Sequence, residues 1–148
     1  MPVTVVNQPI LKITEGVILN NLSVDFKVSG IPLMLFVQWP ILYENYKKSI
    51  IDKVEIGHMQ GVHINLGLSA INFYCEYLDQ GVHTFSEFDF IKCLKKLNTW
   101  SRNPVNVNKT IYVPRGLSSG DACASWEQLE SLLNLYLPDA NVCICTSF

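Results

Sequence analysis

Over residues 22–28 the chain alternates strictly, with Leu22, Val24, Phe26 and Val28 on one side and Ser23, Asp25 and Lys27 on the other. That period of two predicts a half-buried strand. Gly30 breaks it, and residues 31–43 are almost entirely apolar. Pro40 suits the first turn of a helix, where its missing N–H costs nothing, and Ile41, Leu42, Tyr43, Tyr46 and Ile50 partly follow helical spacing. A helix is expected over residues 40–53. Leu33, Phe36 and Val37 fit an earlier helical turn, with Pro32 leaving strand or loop equally open. Residues 62–78 alternate in two phases, Val62/Ile64/Leu66/Leu68 and then Ile71/Phe73/Cys75/Tyr77, which predicts two strands with a bend at residues 67–70. Gln-Gly-Val-His occurs at 60–63 and again at 80–83, but the residues that follow differ, so no solenoid repeat is indicated.

Local signals are clearest from Phe85 onward. Ser86 can cap a helix, Asp89 stands three residues later in a capping-box position, and Phe85 and Phe90 occupy the two places of a hydrophobic staple. The expected helix spans residues 87–98 and buries Phe88, Ile91, Leu94 and Leu97. Residues 102–108 read as a polar loop, 110–113 as a short strand and 114–121 as another loop. Ser125 followed by Gln128 opens a helix over 126–137 that Pro138 ends, and 141–147 reads as a strand. Strands and helices mix without regular βαβ alternation. The expectation is a single compact α+β domain over residues 1–148, a mainly antiparallel sheet packed with about three helices.

The 148 residues are 49% hydrophobic and 16% charged, which excludes a disordered or charge-extended chain. Eleven Lys and Arg against 13 Asp and Glu give a net charge of −2, so no bulk basicity marks a nucleic-acid binder. The first ten residues lack the basic and apolar regions of a signal peptide. The charge-free stretches at 28–43 and 56–75 are too short or too interrupted to span a bilayer. Five scattered cysteines do not form the framework of a small secreted domain, and a reducing cytosol is expected, with secretion excluded. The sequons at Asn21 and Asn108 then carry no weight.

No constellation specifies a reaction. Cys143 and Cys145 would share one face of a strand, yet no second ligand pair accompanies them, and buried thiols are the simpler reading. His58, His63 and His83 could join a cysteine in a nucleophilic pair, but no signature surrounds any cysteine. Carboxylates are scattered singly and read as solvated. The loop at 116–121 precedes a helix and could offer backbone N–H groups to an anion, although it lacks the lysine of a phosphate-binding loop and reads as an ordinary connection. Lys92, Lys95 and Lys96 fall at i, i+3 and i+4 and form the one local basic patch, suited to acidic lipid or RNA phosphates. Phe36 and Trp39 are candidate apolar anchors if part of the 31–43 run is exposed. No catalytic, cofactor-binding or metal-ligating residue is assigned, and neither a cofactor nor a small-molecule substrate is inferred.

The segment 22–30, the apolar run after it, Trp39-Pro40 with Tyr43 and Tyr46, and the strand-rich stretch to Leu78 resemble the matrix proteins of negative-strand RNA viruses, of the small plant-rhabdovirus or bornavirus type. The resemblance covers residues 17–113 as a pattern of elements. It implies a non-enzymatic assembly protein of the virion and host cytoplasm that self-associates and bridges nucleocapsid to membrane. Budding motifs of the PPxY or PTAP kind and a basic N-terminal arm are missing from the sequence. The alternatives are a small viral accessory or regulatory protein that binds a host factor or RNA, and a Cys/His hydrolase.

Overall fold

The computed structural model describes residues 3–120, 122 and 124–148. Asp121, the last residue of the expected 114–121 loop, and Cys123 lie outside the described residues. In chain order the elements are β1 (Thr4–Pro9), a 3-10 turn (Ile10–Lys12), β2 (Gly16–Ser23), α1 (Gly30–Gln38), α2 (Pro40–Ile51), β3 (Met59–Asn65), β4 (Leu68–Asp79), β5 (Val82–Phe85), α3 (Glu87–Arg102), β6 (Thr110–Pro114), α4 (Trp126–Tyr136) and β7 (Asn141–Ser147).

The described strands form one seven-stranded sheet in the order β1-β7-β6-β2-β4-β3, with β5 sharing the far side of β4. The pairs β1–β7, β7–β6, β6–β2 and β2–β4 are parallel, and only β3 and β5 run antiparallel to β4. The expected mainly antiparallel sheet is therefore corrected to a mixed, mostly parallel one with four helices. The cause lies in β2. Its burial runs unbroken from Val17 to Ser23 because both faces are covered, as parallel strands require, so it lacks the alternation that marks a one-sided strand. The alternating segment 22–28 is mostly not strand: β2 ends at Ser23, and Phe26 takes a left-handed φ of +51°. With β1 and the true β2 in place, parallel crossovers appear at β2–α1–α2–β3–β4 and β6–α4–β7.

Each face of the sheet carries two helices. Val17, Leu19, Ile71, Phe73, Ile111 and Val142 pack against α3 and α4, while Ile18, Leu22, Ala70 and Tyr74 pack against α1 and α2. Adjacent residues of β2 thus serve opposite cores. The capping signals hold: the Asp89 amide donates to Ser86 Oγ at 3.3 Å, the Gln128 amide donates to Ser125 Oγ at 3.4 Å, and the Phe85 and Phe90 rings lie 5.2 Å apart. Within α3 the buried stripe is Phe90, Cys93, Leu94, Leu97 and Ser101. Phe88, expected inside, is 74% exposed because it falls outside that stripe. No helix among the described residues is long and apolar enough to cross a membrane.

Candidate functional site

The chain leaving β2 passes through α1, α2 and the edge strand β3 to β4 on one side, and the chain leaving β6 passes through α4 to β7 on the other. The crevice between the carboxyl ends of β2 and β6 is the topological switch point, where loops diverge and open α/β sheets bind their ligands. A cleft of about 240 Å³ opens there. One wall is Lys27 with the start of α1 (Ser29, Gly30, Ile31), the other is the loop after β6 (Gly116, Ser118, Ser119, Gly120), and Ser23 and Glu76 reach it from β2 and β4.

A helix start forms one wall and a turn with left-handed residues the other. Helix α1 begins after an extended Ser29 whose side chain forms no capping hydrogen bond, and the first N–H groups of a helix have no intrahelical partner. Gly30 enters the helix at φ +60°, a conformation that costs glycine little. On the opposite wall Gly116 and Ser118 adopt φ +87° and +62°. Left-handed residues in such a turn aim neighbouring N–H groups into a common concavity. The loop is closed by the Ser119 amide donating to the Gly116 carbonyl at 2.9 Å and the Ala124 amide donating to the Ser118 carbonyl at 2.9 Å. A Cβ on Gly116 would stand 3.1 Å from Ser119 Oγ, so that a side chain there must push Ser119 aside as well as accept the left-handed φ.

The floor is a buried polar network. Glu76 Oε2 accepts from Ser118 Oγ at 2.6 Å and from Asn21 Nδ2 at 3.2 Å, while Glu76 Oε1 lies 2.5 Å from His83 Nε2. Asn21 Nδ2 also donates to Ser118 Oγ at 2.6 Å, and Asn21 Oδ1 accepts from the Cys75 amide at 3.1 Å. The last bond bridges a bulge: the β2–β4 register passes from Asn21↔Phe73 to Ser23↔Glu76, one extra residue on β4. Bulges re-aim side chains beside functional sites. Here the extra residue sets Glu76 opposite Ser23 at the cleft. Ser23 is held from below, its carbonyl accepting from the buried Tyr46 hydroxyl at 2.7 Å. The Tyr46 phenol is pushed far above its ordinary range, first by burial, so this bond keeps its proton.

The arrangement can hold an anion between helix start and loop while the floor meets hydroxyl groups. Sequence reasoning misses Glu76 and weighs His83 only as a partner for a cysteine, whereas its ring meets Glu76. It treats the carboxylates as solvated, yet Glu76 is buried, and the available signal is an acidic residue that directly follows a mostly apolar run within a twelve-residue strand. The 116–121 loop, read as a connection able to hold an anion, forms a cleft wall through its described residues. Lys92, Lys95 and Lys96 are exposed on α3 and do not line the cleft; Lys92 lies 3.9 Å from Asp89 and 5.8 Å from the Phe88 ring centre, and Lys95 lies 5.6 Å from that of Tyr136. Phe36 and Trp39 are buried in the core against α1 and α2, and the exposed apolar residues of these two helices include Leu33, Val37 and Ile41. Cys145 is buried, Cys143 half-buried, and burial raises the Cys145 thiol to about 11. Among the described residues no three His, Cys, Asp or Glu side chains group as metal ligands would.

A mostly parallel sheet between two helix pairs is a fold this chain shares with solved macrodomain structures. The macrodomain of Mycobacterium tuberculosis DarG superposes with a TM-score of 0.74 at 22% identity, over 99% of this chain and 98% of that one. A Bacteroides thetaiotaomicron protein of unknown function gives 0.81 at 18% identity, with 98% of each chain covered. Thermosipho africanus DarTG in complex with ADP-ribose gives 0.78 at 13% identity, over 97% of this chain and 41% of that one. No family model and no curated protein matches the chain in sequence. At these identities the likeness establishes the fold. It corrects the resemblance to viral matrix proteins, which rested on an order of elements centred on a strand at 22–28 that is not formed. The assembly role in a virion, the nucleocapsid and membrane bridging drawn from it, and the expectation of no small-molecule ligand lose their basis with it.

Proposed function

We propose that the protein binds ADP-ribose, free or as an ADP-ribosyl group on a larger molecule. The diphosphate would lie between the start of α1 and the Gly116–Gly120 wall, receiving backbone N–H groups and the positive end of the helix dipole, with Lys27 adding charge. A ribose hydroxyl would then meet the floor formed by Ser23, Ser118 and Glu76. The observation that carries this reading is the placement of two amide-bearing walls at the sheet's switch point. The ADP-ribose complex of a protein sharing the fold supports the choice of ligand.

The reading is one of recognition. Glu76 is the only carboxylate among the described lining residues, and its oxygens are already engaged by His83, Ser118 and Asn21. A carboxylate so committed orients the floor and is poorly placed to take a proton from water. Calorimetric titration with ADP-ribose tests the proposal. Saturable binding is expected, with amide NMR shifts concentrated at residues 23–32 and 116–120. An absence of heat and of shifts at millimolar ligand removes it, and release of free ADP-ribose from a modified protein or nucleic acid would extend it to hydrolysis.

A further inference from the structure

Two thiols meet next to the cleft floor. Cys75 on β4 and Cys93 on α3 are both fully buried, and the Cys75 thiol donates to Cys93 Sγ across 3.7 Å. Cys93 in turn donates to the Gly57 carbonyl at 3.3 Å. Sealed in apolar surroundings, a buried cysteine is an inert, small apolar group. This pair differs in its contact and in its cover. A disulfide holds its sulfurs about 2.05 Å apart, so thiols already touching have less than about 2 Å to close. The cover over Cys93 is one glycine thick. Gly57 has a φ of +88°, and a Cβ on it would stand 2.7 Å from Asp89 Oδ1 in the first turn of α3. Its neighbours Ile56 and His58 are exposed.

The two thiols are not equivalent. The hydrogen bond from Cys75 draws the Cys93 thiol below its ordinary value, burial opposes this, and the Lys96 charge reinforces it. Cys75 is pushed far up by the same bond and by burial. Cys75 is also tied to the cleft through its backbone. Its amide donates to Asn21 Oδ1 at 3.1 Å, its carbonyl accepts from the Ser86 amide at 2.7 Å, and the next residue is Glu76. A movement of Cys75 toward α3 therefore pulls on the bulge that sets Glu76 against Ser118.

We propose that Cys75 and Cys93 form a redox-active dithiol that a small peroxide closes to a disulfide, displacing Glu76 and weakening the ligand held in the cleft. The effect on the ligand rests on the cleft's being an ADP-ribose site, and the disulfide does not. The Cys93 thiolate attacks one oxygen of hydrogen peroxide, the O–O bond breaks, and the departing hydroxide takes up the thiol proton as water, leaving a sulfenic acid. The Cys75 sulfur then attacks the sulfenic sulfur. An S–S bond forms, the S–O bond breaks, and hydroxide leaves with the Cys75 proton as a second water. The two thiols together lose two electrons, and one peroxide is reduced to two waters. Hydrogen peroxide is small enough to enter when the turn over Cys93 opens locally.

The test treats the reduced protein with hydrogen peroxide and digests it with trypsin in the absence of reductant. The peptide ending at Lys92, which carries Cys75, should be joined to the peptide that begins at Cys93, and dithiothreitol should part them. In Cys75→Ala, Cys93 should stop at the sulfenic acid and be captured by dimedone. In Cys93→Ala, Cys75 should stay a thiol. Calorimetry should find ADP-ribose about tenfold weaker on the oxidised wild type than on the reduced one, with Cys93→Ala unaffected by peroxide. Peptide map and titration of the wild type decide the matter even where a variant fails to fold. A wild type whose Cys75 and Cys93 remain thiols while the half-buried Cys143 is oxidised refutes the dithiol. A linked protein that binds ADP-ribose as tightly as the reduced one refutes control of the cleft. If neither form binds ADP-ribose, the ligand reading falls, and the peptide map still decides the disulfide.

Discussion

The two ends of the parallel strands differ in a way that runs against their size. At the amino ends of β2, β4 and β6 lies a hollow of about 630 Å³, lined among others by Glu15, Gly61, His63, Trp100, Lys109 and Tyr112, whereas the carboxyl-end cleft is about 240 Å³. The larger hollow receives the end of α3 and the polar 103–109 loop, and no helix of the described structure starts in it. The smaller one receives the start of α1 and two left-handed residues after β6. Aligned amides and a helix start make a place for an anion, and volume does not.

Removing the carboxylate at one end should have the largest effect. Glu76→Ala strips His83 and Ser118 of their shared acceptor, leaving buried polar groups unpaired at roughly 1–3 kcal/mol each. A loss of about 3 kcal/mol is expected, seen as a fall in Tm of about 10 °C for a chain of this size. Glu15→Ala, on the exposed rim of the other hollow, should leave Tm where it was. Next comes a matched pair of insertions. Gly120 and Gly61 both have open space where a Cβ would stand and no left-handed φ, so each accepts a side chain. Gly120→Glu should weaken ADP-ribose about 100-fold through like-charge repulsion of about 2–3 kcal/mol, and Gly61→Glu should leave it unchanged. Equal effects in calorimetry would abolish the distinction between the two ends.

A smaller change tests the loop. Gly116→Ala forces an L-residue to φ +87° against Ser119 and should cost about 1–2 kcal/mol of loop order, read as a roughly tenfold loss of affinity. The Tyr46 support beneath the cleft predicts a pH dependence. Its folded pKa lies above the ordinary 10.0, so the folded state keeps a proton the unfolded chain has released. Its stabilisation is complete below pH 10 and drains away as pH rises, by up to about 1.4 kcal/mol per unit. Tyr46→Phe should flatten the stability profile measured by urea unfolding between pH 9 and 11, and an unaltered slope counts against the buried phenol. Smallest of all, replacing Lys92, Lys95 and Lys96 together by Glu should leave ADP-ribose affinity unchanged, since these side chains lie outside the cleft.

What the sequence conveys depends on how local the controlling interaction is. The starts of α3 and α4 and both bounds of β7 are legible because Ser86, Ser125 and the short apolar runs act over three or four residues. The start of α2 is legible from Pro40. Strand β2 is displaced in the sequence reading because Asn20 and Asn21, both fully buried, interrupt an apolar run that tertiary structure covers on two faces, while 22–28 imitates a strand through alternation alone. That one displacement conceals the parallel topology. The loop at 116–121 could offer amides to an anion but reads as an ordinary connection in the sequence, because the wall opposite it sits more than 80 residues away. Glu76 becomes part of a site only when the bulge of β4 meets Ser118, a contact across 42 residues that no spacing reveals.

The position of β7 also bears on how the chain is assembled during synthesis. The last strand lies between β6 and β1, and β1 pairs with no other strand described. A nascent polypeptide can lay down the central β2–β4 pair early, but β1 has no berth in the sheet until β7, more than 130 residues further along, has left the ribosome. Vectorial folding therefore joins β1 to the sheet only after β7 is in place.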